Sequence, residues 1–263
     1  MKPADPEMDE EATTEDAFHR GAFHALQPRE RGHRSGQDAL LIAACLPEGA
    51  SGRLADLGSG AGVAGLAALA MNPGLEVTLV EKNRVMAELA RKTVLLPANA
   101  LFRSRAVVLE ADVTLTGTQR ESAGLHPDSF DHVIMNPPYN HKAQRVSPDP
   151  MRAEAHMLGA SGLEPWMRTA AAILRPGGTL AMIYRPEKLA DVLACAQGRF
   201  GGLAVVPVHA RQDEPAGRIL VRMVKGSRAP LSIQPSLVMH DDANRPTAMG
   251  DALVNGRARV HFA

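Results

Sequence analysis

The sequence predicts an α/β fold in which helices cover both faces of a mostly parallel sheet. From residue 53 onward, short β-rich runs alternate with helical stretches at the spacing of β-α-β units. Hydrophobic residues make up 45% of the 263 residues, which is enough for a sizeable core, although aromatic residues contribute only 3%. This length corresponds to one large domain, or to one domain with an appendage.

Seven strands and four helices follow from the apolar runs and from the residues that end them. Strands are predicted at 53–57, 76–80, 106–110, 131–135, 179–184, 203–208 and 218–224. Helices are predicted at 61–71, 84–96, 161–174 and 187–197, and Pro or Gly residues end several of them. A polar loop with Pro215 and Gly217 joins the last two strands, which indicates a hairpin and therefore one antiparallel strand.

Charge and proline content predict the domain limits. Residues 1–16 carry seven acidic residues against Lys2 alone, which favours a disordered tail before a domain at 17–225. Residues 226–263 contain three prolines and few periodic segments, so we expect an irregular extension with one or two short strands, packed on the domain. The net charge of zero argues against a mainly electrostatic nucleic-acid binder, yet without the tail the remaining chain is +6.

Several classes of protein are excluded by simple features. Cys45 and Cys195 lie in Ala- and Leu-rich surroundings without metal-ligand spacing, so we expect neither a disulfide nor a metal site. The acidic N-terminus does not have the pattern of a signal peptide, and no apolar run is long enough to span a bilayer. We therefore expect a cytoplasmic protein, as a monomer or a homodimer.

A glycine-rich loop after the first of these strands predicts a nucleotide site. Gly58, Gly60 and Gly62 follow the strand and lead into a helix, which lets the backbone turn tightly and approach a ligand. Glu81 ends the next strand, where a carboxylate can accept hydrogen bonds from both ribose hydroxyls. These two features fit a dinucleotide such as NAD as well as S-adenosylmethionine.

Three details favour S-adenosylmethionine over NAD. Asp56, just before the glycines, would repel a pyrophosphate but can organise a cationic amino-acid group. Asp112 follows the third strand and can accept a hydrogen bond from an adenine amine. The fourth strand ends in Asn136-Pro137-Pro138-Tyr139, which no dehydrogenase needs.

This tetrapeptide suits methyl transfer to an amino nitrogen. An aryl or amide NH2 is a poor nucleophile because its lone pair is delocalised. The side-chain oxygen of Asn136 and the backbone oxygen of Pro137 can each accept one N–H, and the two prolines hold these acceptors in place. Tyr139 can stack on a planar base.

In this order along the chain, these motifs resemble class I methyltransferases that modify exocyclic or amide nitrogens. With residues 32–41, the chain resembles bacterial tRNA adenine-N6 methyltransferases acting on valine tRNA, over about residues 25–240. The resemblance implies a Rossmann-like fold, S-adenosylmethionine as cofactor and tRNA as substrate. It further implies that Arg34, Ser35 and Asp38 help to cover the cofactor. Residues 32–41 are also compatible with a plain loop that leads into a buried helix. The full expected cofactor set is Arg34, Ser35, Asp38, Asp56, Gly58, Ser59, Gly60, Gly62, Glu81, Lys82, Asp112, Val113 and Asn136.

The substrate is less well determined than the chemistry. Phosphate contacts are expected from basic residues near the site, namely Arg29, Arg31, Arg34, Lys142, Arg145, Arg152, Arg218, Arg222, Lys225 and Arg228. A glutamine amide of a protein would suit the same tetrapeptide. Enzymes that methylate such an amide usually have an N-terminal helical domain, and the roughly fifty residues before Arg53 leave little room for one. A small-molecule O-methyltransferase and a non-catalytic RNA-binding scaffold are further alternatives.

Overall fold

A computed structural model describes residues 13–29, 36–138 and 162–262. The strands are β1 (Thr13–Phe18), β2 (Phe23–Pro28), β3 (Ser51–Leu57), β4 (Gly74–Glu81), β5 (Ala106–Glu110), β6 (Phe130–Met135), β7 (Leu174–Tyr184), β8 (Phe200–His209), β9 (Ala216–Lys225), β10 (Ser232–Ile233) and β11 (Leu237–Val238). The helices are α1 (Gln37–Ala43), α2 (Val63–Met71), α3 (Arg84–Leu95), α4 (Gly117–Ser122), α5 (Glu164–Ile173), α6 (Leu189–Ala196) and α7 (Ala248–Val254). Short 3-10 turns cover His19–Gly21, Pro97–Phe102 and Pro186–Lys188.

The main sheet has the strand order β10-β8-β9-β7-β6-β3-β4-β5, and β11 also pairs with β8. Strand β9 runs antiparallel to both of its neighbours, whereas the other pairings in this sheet are parallel. The predicted α/β class, with seven main strands and a single antiparallel strand from the closing hairpin, is confirmed. The two short strands β10 and β11 lie in the C-terminal extension, where one or two short strands were expected.

Helices bury apolar side chains on both faces of the sheet. On one face, α1, α2 and α3 pack Leu41, Leu66 and Ala90 into a core that includes Ile134 of β6. On the other face, α5 and α6 pack around alternate side chains of the same strands, including Met135. Neighbouring residues of β6 therefore enter different cores, which explains why the buried strands are apolar throughout rather than alternating.

An N-terminal hairpin corrects the predicted disordered tail. Residues 13–16, which the acidic composition assigns to that tail, are the first four residues of β1, and β1 pairs antiparallel with β2. The side chain of Asn99 accepts a hydrogen bond from His24 N (2.9 Å) and donates one to His24 O (2.7 Å). Thr93 Oγ1 accepts from Leu26 N at 3.0 Å. These bonds, together with the full burial of Phe23, hold the hairpin on α3.

The C-terminal segment contributes to the main core. Strands β10 and β11 extend the edge of the sheet, and Thr247 caps α7 by accepting from Gly250 N at 2.9 Å. Val260 N donates to Ala44 O at 2.9 Å, and Phe262 is buried in the core on the α1 face. None of the helices in the described parts of the chain is long and apolar enough to cross a membrane.

Candidate active site

The loop after β3 turns directly above the neighbouring strand. The amides of Gly58 and Ser59 both donate to Val80 O, at 2.8 and 3.0 Å. Gly58 has a φ of +72°, and a Cβ on it would lie 2.5 Å from the ring of Trp166. Glycine is therefore required here both by backbone conformation and by space.

Glu81 ties the end of β4 to this loop. One carboxylate oxygen accepts from Gly60 N at 2.9 Å, and the other accepts from Asn83 N at 2.8 Å. Each carboxylate oxygen retains a second lone pair, so the group can still accept from ligand hydroxyls. Glu81 therefore holds the glycine loop as well as lying where a ribose is expected.

Asp56 is a buried carboxyl group at the end of β3. It is 3% exposed, and Oδ2 accepts from Gly65 N, in the first turn of α2, at 2.9 Å. Burial raises the pKa of Asp56 to about 7, with a smaller contribution from the charge of Glu81, and the hydrogen bond from Gly65 opposes the shift. A cationic ligand group nearby would favour the ionised form.

Asp112 lies past the carboxyl end of β5, in the loop next to Glu81. Burial opposes its ionisation, but hydrogen bonds from Thr114 and the charge of Lys82 hold the pKa of Asp112 below its usual value. The bond from Thr114 N is 2.8 Å long. The neighbouring Val113 is buried, and its backbone oxygen accepts from Thr169 Oγ1 at 2.6 Å, which fixes this loop to α5.

A cleft between α1 and the glycine loop brings the two predicted motifs together. Its lining consists of Ala39, Ile42, Asp56, Gly58, Ser59, Gly60, Ala64 and Asn136. The hydroxyl of Ser59 is buried and has no hydrogen-bond partner among the described residues. A buried, unpaired hydroxyl is costly unless a ligand satisfies it. The cleft therefore fits a ligand with polar groups, as expected for the amino-acid part of S-adenosylmethionine.

The tetrapeptide begins where β6 ends. Asn136 is partly exposed in the cleft, Pro137 is buried and Pro138 is exposed. Three expected site residues, Arg34, Ser35 and Tyr139, lie outside the described residues, as do Arg31, Lys142, Arg145 and Arg152.

Asp38 has a partner that the sequence did not reveal. It lies in α1, next to the cleft-lining Ala39, and its Oδ2 accepts from Arg218 Nε at 3.0 Å. Arg218, expected to contact phosphate, therefore joins β9 to α1. This ion pair places one expected cofactor-covering residue and one expected phosphate contact side by side.

Three other basic residues of the closing hairpin are unsuited to the phosphate contacts expected of them. Arg222 lies over the Phe262 ring, 4.6 Å from its centre, and donates to the Phe262 backbone oxygen. Lys225 donates to Asp128 and to Leu174 O, the start of β7. Because β9 is antiparallel, Lys225 lies beside the start of β7, at the opposite end of the strands from Asn136. Arg228 follows further in the same direction along the chain.

Trp166 is the main site residue that sequence reasoning missed. It is the only tryptophan of the chain, and its ring packs against the backbone of Gly58. The helical pattern of residues 161–174 indicated burial but not which strand end the ring would contact. Ala39 and Ile42 of α1 were missed for the same reason.

The chain is similar to known methyltransferases. The family model "Methyltransferase small domain" matches residues 35–211. A tRNA1(Val) (adenine(37)-N6)-methyltransferase of Aeromonas hydrophila is 27% identical over 73% of this chain and 76% of its own. One of a Flavobacteriaceae bacterium with the same name is 30% identical over 84% and 88%. A release factor glutamine methyltransferase of Rhodospirillum rubrum is 32% identical, over 63% of this chain and 49% of its own.

Two solved structures are also similar to this chain. A protein of Agrobacterium tumefaciens described as a predicted O-methyltransferase is 44% identical, with a TM-score of 0.74 over 85% of this chain and 98% of its own. A 16S rRNA N2 G1207 methyltransferase of T. Thermophilus, in complex with AdoMet and guanosine, is 22% identical, with a TM-score of 0.53 over 81% of this chain and 50% of its own. The second likeness shows the fold alone.

Proposed function

We propose that this chain, which belongs to the methyltransferase small domain family, methylates the exocyclic N6 amine of an adenine in tRNA. That it is an S-adenosylmethionine-dependent methyltransferase follows from the family and its relatives. One observation above all supports a nitrogen atom as the methyl acceptor: Asn136 lines the same cleft as Asp56 and the glycine loop. The parallel pairing of β3 with β6 thus brings Asn136 close to the glycine loop.

S-adenosylmethionine supplies an electrophilic methyl group on a sulfonium, so the protein has mainly to position the acceptor nitrogen. The side-chain oxygen of Asn136 accepts one N–H of the amine, and the backbone oxygen of Pro137 accepts the other. Both acceptors favour the positive charge that develops on the nitrogen as it attacks. Pro137 and Pro138 fix the backbone, so this arrangement exists before the substrate arrives.

The choice of tRNA is supported by the relatives. Adenine(37)-N6 methylation of tRNA1(Val) is the activity named for relatives that align with up to 84% of this chain. The glutamine methyltransferases align with 63% and 52% of this chain, and with only 49% and 46% of their own length. They make a glutamine amide the second candidate acceptor, because an amide NH2 would use the same two oxygens.

Oxygen methylation is less well supported by the cleft. A hydroxyl acceptor needs a base to remove its proton, and Asp56 is the only titratable side chain among the described residues that line the cleft. Its carboxyl group is buried and already accepts from Gly65 N. Asn136 is not a base, whereas it is well suited to orient an amine.

A methyl-transfer assay tests the proposal. Protein is incubated with tritiated S-adenosylmethionine and, separately, with total tRNA, ribosomal RNA, DNA and protein from a strain that lacks this gene. We expect label in tRNA, recovered as N6-methyladenosine after digestion. Label only in protein, recovered as methylglutamine, would establish the second candidate instead.

A single substitution links the activity to the tetrapeptide. Asn136→Ala removes one acceptor that strengthens as charge develops, so kcat should fall about 100- to 1000-fold, by analogy with the loss of one oxyanion-hole donor. Cofactor affinity, measured by calorimetry, should change little. An Asn136→Ala protein with unaltered kcat would reject amine positioning by this residue.

A further inference from the structure

We infer that Arg185, at the end of β7, binds a backbone phosphate of the RNA beside the nucleotide whose base enters the cleft. This inference rests on the proposed function, because it requires RNA as the acceptor. It assigns a substrate contact to a residue that no sequence motif indicated.

Strand register places Arg185 beside the tetrapeptide. Met135 of β6 pairs with Met182 of β7, so Asn136 is level with the residue after Met182. Arg185 lies two residues further along, about 7 Å at 3.3 Å per residue, and retains an extended backbone (φ −88°, ψ 139°). It therefore lies just outside the cleft that Asn136 lines.

Side-chain alternation puts Arg185 on the cleft side of the sheet. Ile183 is buried in the core on the α1 face, so the next but one residue, Arg185, belongs to the same face. Tyr184 pairs with Ile219 of the antiparallel β9, which puts Arg185 opposite Arg218. Arg218 contacts Asp38 of α1, so it is on this face as well.

The two arginines are like charges that lie opposite each other in neighbouring strands. Like charges directly opposite each other in antiparallel strands are destabilising. Among the described contacts, Arg218 lies 3.0 Å from Asp38, and Arg185 lies 3.5 Å from Glu187. The Arg185 side chain is 34% exposed, and an exposed pair of this kind contributes little to stability.

A phosphate is the group that this pair would take. The planar guanidinium fork matches phosphate oxygens in two-point contacts, and one phosphate can replace the weak contact of Arg185 with Glu187. A phosphodiester also relieves the repulsion between Arg185 and Arg218. The other basic residues of the closing hairpin do not compete for this role, because the interactions of Arg222 and Lys225 direct them elsewhere.

Arg185→Ala tests the inference, with an unmodified transcript of valine tRNA as probe. We measure the KM for tRNA between about 50 and 200 mM salt, cofactor affinity by calorimetry and the Tm. We expect about a tenfold increase in KM and a salt slope reduced by about 0.7–0.9, the loss of one phosphate contact. Cofactor affinity and Tm should stay at the wild-type values, and Arg185→Lys should recover part of the loss.

Two matched variants separate phosphate binding from a structural ion pair. Glu187→Gln removes one ion-pair partner of Arg185 but leaves the charge of Arg185, so it should not raise the KM for tRNA. Arg228→Ala removes an exposed arginine beyond the opposite edge of the sheet and should leave both KM and salt slope unchanged. If Glu187→Gln raises KM as much as Arg185→Ala does, Arg185 acts through the ion pair and the inference is wrong.

Failure of the inference can be told apart from failure of the proposed function. If the wild-type protein methylates the tRNA and Arg185→Ala leaves KM and salt slope unchanged, the inference alone is overturned. If the wild-type protein methylates no RNA but transfers methyl groups to a protein amide, both are overturned. A wild-type salt slope that Arg185→Ala reduces supports both.

Discussion

Replacement of Asp56 by Asn should change how the stability of this protein depends on pH. The Asp56 carboxyl is buried, and its pKa of about 7 lies above the ordinary 3.8. Between these two pH values, the folded protein keeps a proton that the unfolded chain has released. The free energy of unfolding therefore falls as pH rises through this window.

The size of the effect follows from the shift. A rise of about three pH units in pKa, at about 1.36 kcal/mol per unit, corresponds to about 4 kcal/mol of stability lost between about pH 4 and pH 8. Asn has the same shape and does not titrate, and it can still accept from Gly65 N. The Asp56→Asn protein should therefore gain stability relative to wild type as pH rises.

Urea unfolding of ligand-free protein at half-unit steps from pH 4.5 to 8.5 measures this difference. The unfolding free energies of Asp56→Asn and wild type should diverge up to about pH 7 and then run parallel. Asp242→Asn, a substitution of an exposed aspartate, serves as the control and should follow wild type throughout. If the Asp56→Asn and wild-type profiles are parallel over the whole range, the burial argument for Asp56 is wrong.

Three further predictions concern the site. Glu81→Ala should weaken S-adenosylmethionine binding by about 1–3 kcal/mol in calorimetry, because hydrogen bonds to a charged group are lost and the Gly60 amide loses its acceptor. The control Glu88→Ala, on the exposed side of α3, should leave this affinity unchanged. Gly58→Ala should lower the Tm, because alanine would have to adopt a left-handed backbone conformation and its Cβ would overlap with the Trp166 ring. A smaller side chain at position 166 should recover part of this loss, and strictly additive effects of the two substitutions on Tm would contradict the contact. Tyr139→Phe should retain much of the methyl-transfer activity that Tyr139→Ala loses, because stacking needs only the ring, and equal inactivity would show that the hydroxyl is required.

Local patterns were enough to predict most of the main sheet. Residues 106–110 are a strand with the predicted limits, and β3, β4 and β6 each include the run predicted for them. The inner strands β3, β4 and β6 are largely buried on both faces toward their carboxyl ends, so apolar residues dominate there and glycine, proline or acidic residues follow. The N-terminal hairpin was missed because its acidic residues resemble those of a disordered segment. Its position depends on contacts with Asn99 and Thr93, which lie some seventy residues away in sequence.

The chemistry at the strand ends follows from local sequence. One acid with the glycines, a second acid, a third acid and Asn136-Pro137-Pro138 stand at the ends of four successive strands, and parallel pairing must bring such ends to one edge. Which side chains face that edge, and what they contact, depends instead on the packing of distant segments. Trp166 beneath Gly58, Asp38 paired with Arg218, and Arg185 opposite Arg218 all join segments distant in sequence. Such contacts depend on the packing of helices and on the register between strands, and neither leaves a local pattern in the sequence.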